Sequence, residues 1–170
     1  MSFITKEKSV ALYAALVSFG TYVFIFGFRK SFTVCTFEGM TFGPIAFKTA
    51  MVISQMLGYL MAKFYGIKFI SGLEKKNRYK IIFLLTGISW LAWLLFAIVP
   101  APYNVIFLFL NGFPLGMLWG VIFSYVEGRK STDFIGAALA VSFIFSSGWV
   151  KSVGAWLMEQ YHITEFWVPF

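Results

Sequence analysis

Between Ile81 and Val126 the chain runs for 46 residues without a charged side chain. A helix crossing a bilayer needs about 20 apolar residues, because the hydrocarbon layer is about 30 Å thick and each residue rises about 1.5 Å. The run is too long for one crossing, and Pro100-Ala101-Pro102 stands near its middle. Two prolines one residue apart remove helical hydrogen bonds and extend the backbone before them, so the run reads as two spans joined by a very short connection. Of all 170 residues 59% are apolar and only 12% charged. That is about half the charge of a soluble domain, which excludes both a water-exposed globule and a disordered chain.

Ser9 to Phe28 is a further uncharged stretch, about 30 Å long as a helix. Arg29-Lys30 follows it with no small-residue cleavage site, so it reads as a span and not as a signal peptide. Ile45 to Tyr65 is a candidate second span, interrupted near its ends by Lys48 and Lys63, each within snorkelling reach of an interface. Phe134 to Met158 makes another, with Lys151 in its second half. Beyond Glu159 the stretch Tyr161 to Phe170 turns aromatic again, like the first turn of a sixth helix. The expected fold is therefore all-α and integral to the membrane: a polytopic bundle of five transmembrane helices plus the start of a sixth. It forms one transmembrane domain over residues 1–170, and the odd number of spans points to a C-terminally truncated fragment.

The net charge is +7. In a soluble chain this would suggest nucleic acid; here the basic residues sit near span ends, where they set orientation and meet anionic lipid, so the lipid bilayer is the expected partner. Ten of them, Lys6, Lys8, Lys63, Lys68, Lys75, Lys76, Arg78, Lys80, Arg129 and Lys130, fall on one side. At most four, Arg29, Lys30, Lys48 and Lys151, fall on the other. The positive-inside rule then places the N-terminus in the cytoplasm and the uncharged loop between spans three and four outside.

In lipid, helices associate through close packing and polar contacts, so small residues four apart mark contact faces. The fourth span has Gly112, Gly116, Gly120 and Ser124 at that spacing, a helix-packing face or one that slides during a conformational change. Pro114 should bend this helix, and Asn111 puts a polar side chain at membrane depth. The third span is apolar all round and belongs against lipid. The others carry polar stripes: Ser18, Tyr22 and Arg29 on the first, Lys48, Gln55 and Tyr59 on the second, and Asp133, Gly136, Ala140, Ser147 and Lys151 on the fifth. Such helices describe a bundle around a hydrated cavity. Cations on the outer side oppose the charge bias that orients the protein, and an anionic substrate group is a reason to keep them. Taken singly, the same cations snorkel to headgroups and the Ser, Tyr and Gln residues tie helices together.

Catalysis has little to stand on. His162, Cys35 and Asp133 are each the sole residue of their type, with no metal-ligand spacing, no nucleophile beside a base and no phosphate loop, so neither an enzyme nor a cofactor is expected. Glu127 and Asp133 flank Arg129-Lys130 as a charged cap on two helix ends.

This order of features resembles the N-terminal half of a major facilitator superfamily transporter along essentially the whole chain. The basic loop after span two, the tight hairpin between spans three and four, the Gly-rich fourth span and the Glu127-Gly128-Arg129 loop carry the likeness. Gly20, Tyr22 and Arg29-Lys30-Ser31-Phe32 are similar to the organophosphate antiporter branch, which implies that Arg29 binds a phosphate or carboxylate with Lys30 beside it. The loop Gly66 to Gly72 lacks the superfamily's Asp, and Met61 stands where the antiporter branch has a lysine. The string from Pro100 to Asn104 through Gly112, Gly116 and Glu127-Gly128-Arg129 to Ser142–Gly148 is closer still to a bacterial membrane family of unknown function related to these transporters.

The resemblance implies an alternating-access secondary transporter in a bacterial inner membrane, handling a small anionic solute such as an organic phosphate or carboxylate and completed by a C-terminal half. Arg29 and Lys30 would be the anion ligands, Tyr22, Gln55 and Asn111 orienting hydrogen-bond groups, and Lys48 and Lys151 mobile cations near the outer mouth. The alternative is a scaffold or sensor that keeps the bundle and does not transport, for which the absent Asp speaks. The two part on whether Arg29, Gln55, Asn111 and Lys151 converge on one wet space.

Overall fold

The computed structural model describes residues 2–125, 128 and 132–170. It contains α1 (Ser2–Lys30), α2 (Phe47–Ser71), α3 (Arg78–Ile98), α4 (Ile106–Phe123) and α5 (Thr132–Tyr161), with a two-stranded hairpin of β1 (Thr41–Phe42) and β2 (Ile45–Ala46) before α2. Four stretches are long and apolar enough to cross a membrane: Ser9–Val34, Arg78–Ile98, Tyr103–Phe123 and Thr132–Tyr161. The expectation of five spans is corrected to these four, with α2 a helix of 25 residues whose apolar run is diluted by Lys48, Gln55, Lys63 and Lys68.

Chain breakers end the elements where elementary stereochemistry requires. Val99, held extended before Pro100, closes α3, and after the proline pair a single 3₁₀ turn at Tyr103–Val105 leads into α4. In the β-hairpin, antiparallel with Thr41 opposite Ala46, Gly43 supplies the positive φ of 59° that the first turn residue needs. The Asn104 amide donates to the Phe96 carbonyl at 3.1 Å and fastens the α3–α4 connection from within.

Packing divides the bundle into α1 with α5, and α2 and α3 on either side of α4, with α1 and α4 joining the two sets. Gly112, Gly116 and Gly120 lie against α2. A Cβ at Gly112 would overlap the Gln55 carbonyl oxygen, one at Gly58 would overlap the Phe109 carbonyl oxygen, and one at Gly116 would stand 2.6 Å from the Ala62 Cβ. The backbones of α2 and α4 thus touch directly, which only residues without side chains permit. Pro114 lies buried inside α4.

The α1–α2 and α3–α4 connections and residues 162–170 gather at one end of the bundle, here the hairpin end. Its core is aromatic: Phe32, Phe37, Phe47, Trp93 and Phe96 are buried, with Phe166 packed against them. The start of a sixth helix expected at Tyr161–Phe170 is not formed; α5 ends at Tyr161 and residues 162–170 fold back. Two contacts account for this. The Phe166 ring sits 5.4 Å from Phe37 and 5.7 Å from Phe96, and the Glu165 carboxylate accepts the Thr36 and Phe37 N–H groups at 2.6 and 2.9 Å. The opposite, basic end carries the loop at 72–77, where Arg78 donates to the Ser124 carbonyl at 2.5 Å and holds the last turn of α4. Glu127, Arg129 and Lys130 of the expected charged cap lie outside the described residues, as do the side chains of Lys6, Lys8 and Lys75.

Candidate functional site

Arg29, in the last turn of α1, sits far from the bundle end. Its carbonyl accepts a hydrogen bond at 3.1 Å from Gln55 Nε2, and Gln55 is eight residues into α2, about 12 Å along the helix. The Phe28 carbonyl accepts from Trp93 Nε1 at 2.6 Å, five residues before the end of α3. Those side chains satisfy carbonyls that a helix C-terminus otherwise leaves orphaned, and they hold the end of α1 inside the bundle, away from its hairpin end.

From this depth the Arg29 guanidinium reaches over the Tyr59 ring, 4.4 Å from its centroid, with Phe26 at 5.8 Å. Lys63, one turn beyond Tyr59, places its ammonium 4.9 Å from the same ring and 5.0 Å from Trp119 of α4. Trp119 is stacked on Phe123, centroids 5.1 Å apart and planes within 7°. The buried Tyr22 phenol interacts electrostatically with Tyr59 and Arg29, and its ring packs on Phe143 at 4.8 Å. Lys30 is within electrostatic reach of Arg29 and Lys151. Phe143, Ser147 and Lys151 follow at four-residue spacing on α5, so Lys151 lies on the stripe whose Phe143 packs against Tyr22 and Phe26 of α1. Arg29, Lys30, Lys63 and Lys151 thereby form a cationic arc across α2, α1 and α5.

Of the chain's seven acidic residues none falls in α2, α3 or α4; Glu38, Glu74 and Glu165 lie in connections, and Asp133 and Glu159 near the two ends of α5. Among the described residues the Arg29 guanidinium and Lys63 ammonium have aromatic faces for partners and donate no hydrogen bond.

Of the residues singled out from sequence, Arg29, Lys30, Tyr22 and Lys151 are brought together. Lys48 is not: it donates to the Thr33 and Cys35 carbonyls at 3.1 and 2.5 Å and clamps the α1–α2 connection. Gln55 and Asn111 are spent on each other at 2.9 Å, while Asn111 Nδ2 donates to the Ser89 carbonyl at 3.2 Å, all three side chains buried. Through these amide N–H groups they act as helix ties joining α1, α2, α3 and α4. Lys63, Tyr59 and Trp119 are the additions. The signal for Lys63 was its place four and eight residues after Tyr59 and Gln55, on the polar stripe of α2.

Residues 31–170 match a protein family described as a family of unknown function, DUF5690. The chain belongs to DUF5690. No curated protein and no solved structure matches it. The DUF5690 match takes in α2 to α5 whole, with Lys63, Trp119 and Lys151, and begins two residues after Arg29. The description carries no chemistry, so a role for this DUF5690 chain rests on the arc itself.

Proposed function

We propose that the chain is the N-terminal half-bundle of an alternating-access secondary transporter of the major facilitator type, and that its cationic arc receives a small anionic solute. The bundle crosses a bacterial inner membrane with the basic end in the cytoplasm and the hairpin end outside, the orientation that its ten-to-four distribution of basic residues favours. One observation carries the reading: Arg29 and Lys63 share one tyrosine ring at membrane depth, with no acidic residue in α2, α3 or α4 to neutralise them. Intramembrane cations are costly and mark substrate pathways. A ring face returns about 0.5–2 kcal/mol per cation, whereas a charge-assisted hydrogen bond returns about 1.5–3 kcal/mol, so an incoming phosphate or carboxylate outcompetes the aromatic partners.

Lys30 and Lys151 extend the arc toward α5 and supply positive potential along the approach. By analogy with inverted-repeat carriers, a second half-bundle would close the site from the other side. The test is uptake of labelled phosphate and carboxylate solutes into proteoliposomes holding the full-length protein. Arg29→Gln and Lys63→Gln are each expected to lower uptake at least tenfold, with Arg29→Lys intermediate because it keeps charge and loses the guanidinium fork. Undiminished uptake in all three removes the proposal. A non-transporting scaffold is the second reading, favoured by the Gln55–Asn111–Ser89 ties and the direct α2–α4 backbone contact. It predicts that no anion binds and that the two glutamine variants leave the protein's behaviour unchanged.

A further inference from the structure

We infer that the solute is an aromatic anion: a planar, unsaturated ring bearing a phosphate or carboxylate group. This inference rests on the reading of the arc as an anion site, and it concerns the part of the solute that the cations do not hold. Around Arg29 and Lys63 the side chains are rings: Tyr59, Trp119 and Phe143 are half-buried, and Tyr22 and Phe26 are buried beside them. A sugar or polyol would need several unspent donors and acceptors directed at its hydroxyls. The amide donors nearest the arc are already committed, Gln55 Nε2 to Asn111 Oδ1 and the Arg29 carbonyl, and Asn111 Nδ2 to the Ser89 carbonyl.

The rings are occupied in a way that an anion reverses. Lys63 stands over both Tyr59 and Trp119, and Arg29 over Tyr59. An anionic group drawing both side chains toward itself uncovers these faces at the moment the ligand arrives. Trp119 is held for stacking, since Phe123 lies parallel to it at 5.1 Å and fixes its plane. Headgroup recognition and ring recognition are therefore coupled: the same movement that completes the charge contact opens the platform for the plane. An aliphatic anion would trigger the first step and leave the exposed ring faces unpaired.

The experiment compares ligands that share a headgroup, using the full-length protein in nanodiscs and titration calorimetry: phenyl phosphate against glycerol phosphate, and benzoate against butyrate. The aromatic member is expected to bind at least tenfold more tightly in each pair. Trp119→Leu is expected to bring that ratio close to one, and Trp119→Phe, which keeps a flat ring, to retain most of it; the latter keeps the test open should the leucine variant fail to fold. Equal affinities within both pairs, or a preference for the aliphatic members, overturn the aromatic assignment and leave the anion reading standing. Absence of binding by all four ligands and by inorganic phosphate overturns the anion reading, and this inference with it.

Discussion

Replacing Gly112 by alanine is expected to destabilise the bundle, and the structure sets the size of the effect. A Cβ there would overlap the Gln55 carbonyl oxygen and lie 3.0 and 3.2 Å from the Gln55 carbonyl carbon and Cα. These are backbone atoms, so relief requires α2 and α4 to part by roughly 1 Å to regain van der Waals distances. That separation stretches the 2.9 Å bond from Gln55 Nε2 to Asn111 past the limit of about 3.2 Å for an N–H···O bond. Overpacking costs about 1–3 kcal/mol and the weakened intramembrane hydrogen bond adds about 0.6 kcal/mol, against a gain of about 1 kcal/mol in helix propensity. The net loss is about 0.6–2.6 kcal/mol, or on the order of 5 °C in melting temperature for a chain of this size. The controls are Gly20→Ala and Gly87→Ala, where a Cβ meets nothing within 4 Å and the propensity gain acts alone. Melting followed by size-exclusion chromatography in detergent should put Gly112→Ala below wild type and both controls at or above it. A Gly112→Ala protein as stable as Gly87→Ala refutes the direct backbone contact.

The remaining predictions concern the ties and the hairpin end. The Cys35 thiol is pushed up from its ordinary value to about 12, first by burial and then by the Glu165 carboxylate, so maleimide should label it slowly at pH 7.5 until the protein is denatured. A raised thiol favours the neutral form when folded, so this stabilisation is fully present below the ordinary thiol range and is lost as pH climbs toward 12. Glu165→Gln removes one of the raising causes and the charged acceptor of two N–H groups, and should speed labelling at pH 8.5 relative to wild type. Asn111→Leu leaves Gln55 Nε2 with the Arg29 carbonyl alone and removes the donor to the Ser89 carbonyl; a loss of about 1 kcal/mol is expected in the same melting assay, and an unchanged midpoint would show that these ties hold nothing.

The helical hairpin was legible because proline chemistry and an uncharged run leave few alternatives, and the α4 glycine ridge because close approach in lipid needs small residues at fixed spacing. Other features were hidden for definite reasons. Lys48 shares a helical stripe with Gln55, yet it stands in the first turn of α2, where the carbonyls of the preceding connection lie within its reach. Lys63 was assigned to an interface by its distance from the span centre, while its long stem instead lays the ammonium on Tyr59 and Trp119, and the Trp119 contact comes from a different helix. The terminal stretch has the aromatic density of a starting helix, and what decides its path is a pair of rings 70 and 129 residues before Phe166. Helical periodicity reports which residues share a face; it does not report which face of another element receives them.

The carbonyl tethers at the end of α1 have a mechanical consequence. Phe28 and Arg29 are moored to α3 and α2 through Trp93 and Gln55, and α2 is in turn keyed into α4 without intervening side chains. Tilting α1 alone would tear both attachments at once, so any rocking motion carries α1 to α4 as one block. The guanidinium of Arg29 then becomes a swivelling arm on an unyielding post.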